Sequence, residues 1–200
     1  MTVDQGMAQA EAKYRVVRHA VNLSAGAAVA REFGVRIEFR PITDADAVVA
    51  DRWTYRVRRL QQPWTPGWSW AAQVRKERRR PRRVEAAAVY LDVQPPVLAG
   101  LILGRISRNR VVASIHFLSK NPTLDVGFAA IATRYLEFCA AAFGCTHASI
   151  QNPIPQLVQH YRKLGFRHVV RKKGKIVWLE ANLQADIERA RRLAERRRVT

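Results

Sequence analysis

Three features of this 200-residue chain predict an α/β protein of the α+β kind, built around one mixed sheet with helices packed on it. Val84–Asp92, Val97–Ile106 and Val111–Ser119 follow one another as strand-like segments joined by short turns, the mark of an antiparallel meander. Phe128–Phe143 then switches to a helical period, with Ile131, Tyr135, Phe138 and Ala142 on one stripe. The chain closes on a strand, a helix and two more strands between His147 and Asn182. An apolar fraction of 48% is ample for one sizeable core, and the length favours a single domain.

Taken in order, residues 1–34 form an N-terminal extension, with a helix around Ala8–Val21 and a loose Ser24–Ala28 stretch. Val35–Arg40 alternates apolar and polar residues as a half-buried strand does. Pro41 ends it, and Thr43-Asp44-Ala45-Asp46 supplies the N-cap of a helix reaching about Leu60. Pro63, Pro66 and Gly67 mark a loop, and Trp68–Arg80 is a second helix stopped at Pro81. Val93-Gln94-Pro95-Pro96 separates the first two meander strands, and Ser107-Arg108-Asn109-Arg110 turns into the third. Gly144 is a C-cap, His147–Gln151 a strand, Pro155–Leu164 a helix, and Arg167–Arg171 and Ile176–Asn182 the last strands. A basic helix at Ala185–Arg198, within a C-terminal segment 184–200, ends the chain.

No apolar run approaches the ~18 residues of a membrane span, and the N-terminus lacks a signal-peptide layout. Cys139 and Cys145 fit no zinc or redox spacing and are expected as buried thiols. A cytoplasmic protein with no membrane partner follows as the expectation. The net charge of +19 is segregated. Residues 52–83 hold 11 Lys/Arg against Glu77 alone, residues 161–200 hold 13 against four acids, and the remainder sums to zero. Charge confined in this way predicts a polyanionic partner: nucleic acid (tRNA, rRNA or DNA) or an acidic protein.

Two stretches carry a resemblance. The run Ser149-Ile150-Gln151-Asn152-Pro153, followed by Tyr161-Arg162-Lys163-Leu164-Gly165-Phe166, resembles the last third of the GNAT superfamily of N-acetyltransferases. Ile37-Glu38-Phe39-Arg40-Pro41-Ile42-Thr43-Asp44 is similar to its opening strand and helix. The resemblance spans roughly residues 35–183. It implies a mostly antiparallel sheet with a splayed central strand pair, helices on both faces, and acetyl-coenzyme A or another acyl-coenzyme A as cofactor.

In that family the pyrophosphate sits on amides at the start of the long helix, as anions do at helix N-termini. The corresponding stretch here is Leu124-Asp125-Val126-Gly127-Phe128-Ala129, so Gly127, Phe128 and Ala129 are the expected cofactor contacts. The family's leading basic or amide position holds Leu124, and Asp125 adds a carboxylate that either caps the helix or repels phosphate. The resemblance also implies that the backbone of Leu118–Lys120 meets the acyl carbonyl and that Asn152 meets the pantetheine arm. Tyr161 would protonate the leaving thiolate; as a plain amphipathic-helix residue it would instead pack with Leu157, Val158 and Leu164. Asn152 before a proline is equally a turn residue.

A base is sought on the central strands. Ala113, Ile115 and Phe117 make a core face, which puts His116 with Ser114 and Leu118 on the other. A histidine titrating near neutrality is a suitable base, with Glu85 a rival. No nucleophilic triad, metal cluster or phosphate-binding loop competes. Trp64, Trp68 and Trp70, with Arg78, Arg79, Arg80, Arg82 and Arg83, suit stacking on bases and contact with phosphate; Trp53, on a helix, suits the core. The expected activity is acyl transfer to an amine on an acceptor held by the basic surface. The alternative is an inactive protein of the same fold that binds nucleic acid or an acidic protein.

Overall fold

A computed structural model describes residues 3–54 and 67–184. Their order is α1 (Val3–Phe33), β1 (Ile37–Arg40), α2 (Asp44–Asp51), α3 (Trp70–Arg78), β2 (Arg83–Tyr90), β3 (Val97–Ile106), β4 (Val112–Lys120), α4 (Phe128–Phe143), β5 (His147–Gln151), α5 (Val158–Lys163), β6 (His168–Lys172) and β7 (Lys175–Asn182). The expected elements are present, with ends moved by a few residues. The C-terminal helix and Trp64 lie outside the described residues, and the helix expected to reach Leu60 ends at Asp51 instead, with Arg52 as its C-cap.

The seven strands form one sheet in the order β1-β2-β3-β4-β5-β7-β6. Every neighbouring pair is antiparallel except β4 and β5. No helix among the described residues is long and apolar enough to cross a membrane.

Two apolar clusters flank the sheet. One lies under α1 and α4 and gathers Val21, Ala25, Val29, Ile131, Tyr135, Leu136 and Phe166 with the inward residues of the strands. The other lies under α2 and α3 and joins Ile42, Ala47, Trp53, Trp70 and Val74 to Leu101 and Leu103. Trp53 is therefore core as expected, although it follows the end of α2 and does not lie on the helix.

The N-terminal stretch corrects the sequence reading: Ser24–Ala28 is not loose but the middle of a 31-residue helix. Its buried residues Val21, Ala25, Ala28 and Val29 recur at helical spacing, and packing against α4 and β1 outweighs the low propensity of Ser24 and Gly26. A side chain at Gly26 would meet the Ile37 carbonyl at 3.0 Å, so its absence lets the helix lie close to β1.

The local signals behave as their chemistry requires. Thr43 closes a capping box on α2 with Asp46. Burial alone would raise the Asp46 carboxyl's pKa, but hydrogen bonds from Arg40 and Thr43 overcome it and hold the group below its usual range. The β3–β4 turn is tied by Ser107, whose Oγ accepts the amides of Val111 and Val112. Gly144 ends α4 at φ 72°, the left-handed cap that glycine adopts freely. Cys139 and Cys145 are buried free thiols, and burial pushes their pKa up to about 12 and 11.

Candidate functional site

The parallel pair is where the sheet opens. Val112–Ile115 of β4 pair with His147–Ile150 of β5, but β4 then runs on to Lys120 with β3 as its only partner. Because the two strands are parallel, their C-terminal ends lie at the same end of the sheet, and α4 and α5 both start there. Clefts at such points are the usual ligand seats of open α/β sheets.

A bulge marks the parting. Leu103 faces Phe117 and the next residue, Gly104, faces Ile115, which leaves His116 as the extra residue on β4. Strand alternation is offset from that point. Phe117, expected on the face of Ala113 and Ile115, instead joins the α2/α3 cluster, while Leu118 packs on the α1/α4 cluster. A side chain at Gly104 would come within 1.8 Å of the Ser114 carbonyl, so this crossing of backbones needs a glycine.

His116 is half-buried on the α3 side, in the field of Arg105, Glu77 and Arg80. Burial first, then the Arg105 charge, pushes its pKa down to about 4 against the opposing pull of Glu77. The imidazole is therefore neutral at physiological pH, with a ring nitrogen free of a proton. Glu85 is no rival base. It is 4% exposed and held by Arg83, which also binds Glu11, itself paired with Arg18.

The segment between β4 and α4 is pinned at both ends. The Asn121 amide donates to Ala99 O at 2.7 Å, and its side chain bonds Leu98 O and the Thr123 amide and hydroxyl. Lys120 Nζ reaches over the segment to the Leu124 carbonyl at 3.1 Å. At the other end Phe128 is 2% exposed and presses on β3, where any side chain at Gly100 would meet its ring at 2.2 Å. Between these anchors Gly127 is the N-cap of α4, with no side chain capping it. Asp125 is exposed and lies two residues ahead of the cap, which corrects the expectation that it caps the helix.

Phe128 turns its amide back to Val126 O, whereas the Gly127 and Ala129 amides make no hydrogen bond among the described residues. A Cβ placed on Gly127 would meet nothing within 4 Å. The mouth of the 16-residue helix is thus open, lined by donors without a partner and filled by no side chain among the described residues.

Across the parting, Asn152 ends β5 with φ 44°, a left-handed conformation that asparagine tolerates. Its amide donates to Val177 O at 2.8 Å, and its side chain is exposed and makes no hydrogen bond among the described residues. Tyr161 on α5 is 3% exposed, with its ring edge-on to Phe166. Its hydroxyl also has no hydrogen-bond partner among the described residues, and burial pushes its pKa up to about 12. The ring is part of the core, while the hydroxyl is not among the buried atoms left without a partner and so keeps access to solvent.

The tryptophan and arginine surface comes apart on inspection. Trp70 is 1% exposed and its indole N–H donates to Ser119 Oγ at 3.0 Å, so it has no face to offer a base. Trp68 is half-buried, edge-on to both Trp70 and Phe117. Arg83 is buried on Glu85 and Glu11, and Arg78 binds Asp44 and the Ile42 carbonyl. Arg80 lies 3.3 Å from Glu77, which Arg105 grips with both nitrogens, and Arg82 binds the Arg108 carbonyl. Of the arginines expected to contact phosphate, only Arg79 is exposed and unpaired among the described residues. Trp70 and Arg83 are structural; the sequence could not show this because their partners lie far along the chain.

No family model matches the chain, and no curated protein matches it. Solved structures do share its fold. A domain from Methanocaldococcus jannaschii superposes with a TM-score of 0.55 at 15% identity, over 74% of this chain and 99% of that one. Variant forms of the spermidine/spermine N-acetyltransferase SpeG from Vibrio cholerae give 0.51 at 14% identity, over 76% and 98%. Nourseothricin acetyltransferase gives 0.51 at 12% identity, over 74% and 98%. The chain has the fold of the GNAT acetyltransferases, with the splayed parallel pair at its centre.

Proposed function

We propose that this chain is an acyl-coenzyme A-dependent N-acyltransferase that transfers acetyl, the group named in the acetyltransferases sharing its fold, to an acceptor amine held by a basic surface. The open mouth of α4 carries the reading: two unbonded amides, a glycine with free space before it, and a bulged strand that parts from its neighbour beside it. These residues fit a diphosphate, because amides at a helix N-terminus bind anions with the help of the helix dipole.

Bound acyl-coenzyme A would supply a thioester whose acyl carbon is the electrophile. Gly127 and Ala129 would hold its phosphates, Asn152 would offer its free side-chain amide to the pantetheine arm, and the Leu118–Lys120 backbone would meet the acyl oxygen. His116, unprotonated at neutral pH, accepts a proton from the attacking amine; with a pKa of about 4 it does so once attack has made that amine strongly acidic. Tyr161 keeps its proton through the neutral range and would be the acid that protonates the leaving thiolate, while His116 takes the amine's proton.

Asp125 favours a second reading, an inactive relative in fold, because a carboxylate near the seat opposes a diphosphate by ~1 kcal/mol when solvated. Isothermal titration with acetyl-coenzyme A decides between them. Saturable binding supports the transferase; no heat of binding at millimolar cofactor leaves only the inactive scaffold.

A further inference from the structure

Acids hold Arg78, Arg80 and Arg83 of the 75–83 run, but no acid among the described residues holds the cations at the far edge of the sheet. Arg162 and Lys163 end α5 and Arg167 follows the tight turn after it; Arg171, Lys172, Lys173 and Lys175 form the end of the β6–β7 hairpin. All seven are exposed, and none has a carboxylate within 4.0 Å among the described residues. Of these seven side chains only that of Arg171 makes a hydrogen bond among the described residues, to the Gly174 carbonyl. From residue 152 to 184 the only acid is Glu180.

We propose that this edge binds the phosphodiester backbone of a base-paired nucleic acid. β6 is the last strand of the sheet, and the four residue steps from Arg167 to Arg171 set the two groups of cations ~13 Å apart, a span of several phosphates. Charges on an edge strand also discourage strand addition, but one or two would do that, and Arg162, Lys163 and Lys173 lie off the ladder. The edge carries no exposed Trp, Tyr or Phe on which an unpaired base could stack; Tyr161 and Phe166 are buried and Trp178 is half-buried. Contacts to phosphate without base stacking suit a duplex, not a single strand. The surface stands apart from acyl transfer, so a failure to bind acetyl-coenzyme A leaves it untouched.

The test measures full-chain binding to a fluorescent 20-base-pair RNA duplex and to a DNA duplex of the same length, across a salt series. Wild type is expected to bind one or both with a steep salt dependence, and the preferred duplex identifies the source. R171Q/K172Q/K173Q/K175Q, checked for folding by its thermal melt, is expected to bind ~10-fold or more weakly at 0.1 M salt, with a salt slope smaller by about 3 to 4. R75Q/K76Q/R79Q, the matched change on α3, is expected to keep its slope within about 1 of wild type. Three results overturn the proposal: no duplex binding at 50 mM salt, equal losses in both variants, or poly-glutamate binding more tightly than either duplex.

Discussion

The mouth of α4 and the arginine run of α3 and β2 are both electropositive, and they differ in where the charge comes from and whether it is free. The arginine run is conspicuous in sequence, yet Asp44, Glu77, Glu85 and Glu11 hold Arg78, Arg80 and Arg83 of it. At the mouth of α4 the Lys120 ammonium is turned onto the Leu124 carbonyl; what the mouth presents is the open amides of Gly127 and Ala129. Formal charge in a sequence is therefore a poor guide to charge offered to a ligand. Burial and internal pairing decide it.

The comparison can be broken most forcefully at the buried end. Trp70→Ala removes a core side chain and its bond to Ser119, and is expected to cost ~3 to 5 kcal/mol in denaturant unfolding. A loss under 1 kcal/mol would mean that the tryptophan is not core and is available to a ligand. Tyr161→Phe separates packing from chemistry, since it keeps the ring and deletes a hydroxyl that has no partner. Stability should move by no more than ~0.5 kcal/mol, while the acylation rate falls ~100-fold at an unchanged KM for the acyl donor. A large drop in stability with an unchanged rate would make the residue structural.

Gly127→Asp places a carboxylate in the seat without a clash, because nothing lies within 4 Å of the new Cβ. Coenzyme A affinity is expected to fall ~10-fold or more, with Gly127→Ala closer to wild type as the steric control. Equal losses in the two would point to backbone conformation in place of charge. His116 sharpens the picture through pH. Its folded pKa of about 4 lies below the ordinary 6.5, so the neutral ring contributes stability that is complete above pH 6.5 and is lost as pH falls toward 4. His116→Gln should flatten that acid limb in a series of thermal melts; an unaltered limb would show the ring to be solvated. Smallest of all, Arg79→Gln should change stability by less than ~0.5 kcal/mol, since Arg79 is exposed and makes no ion pair among the described residues.

The sequence was most legible where the determinants are local. Thr43, Ser107 and Gly144 announce a cap, a turn and a stop through their own chemistry, and α4 shows its buried stripe at helical spacing. Legibility ended where partners are distant. Strand alternation put Phe117 with Ile115, because a bulge is decided by pairing with β3 and not by the residues of β4. Arg83 looked like a phosphate ligand until Glu11, 72 residues away, was found on its guanidinium. Ser24–Ala28 looked loose because only α4 and β1 give that stretch a surface to pack on. The open space before Gly127 likewise has no signature beyond the glycine itself. The edge cations were counted within the basic segment 161–200, but that no carboxylate among the described residues meets them could be seen only in the fold.

A crystal structure of the protein soaked with coenzyme A is the most direct measurement. Density for a diphosphate on the Gly127 and Ala129 amides, with the pantetheine arm running between β4 and Asn152, is the predicted result. A soaked crystal whose α4 mouth stays empty, or in which coenzyme A lies only on the cations of the β6–β7 hairpin, would contradict it.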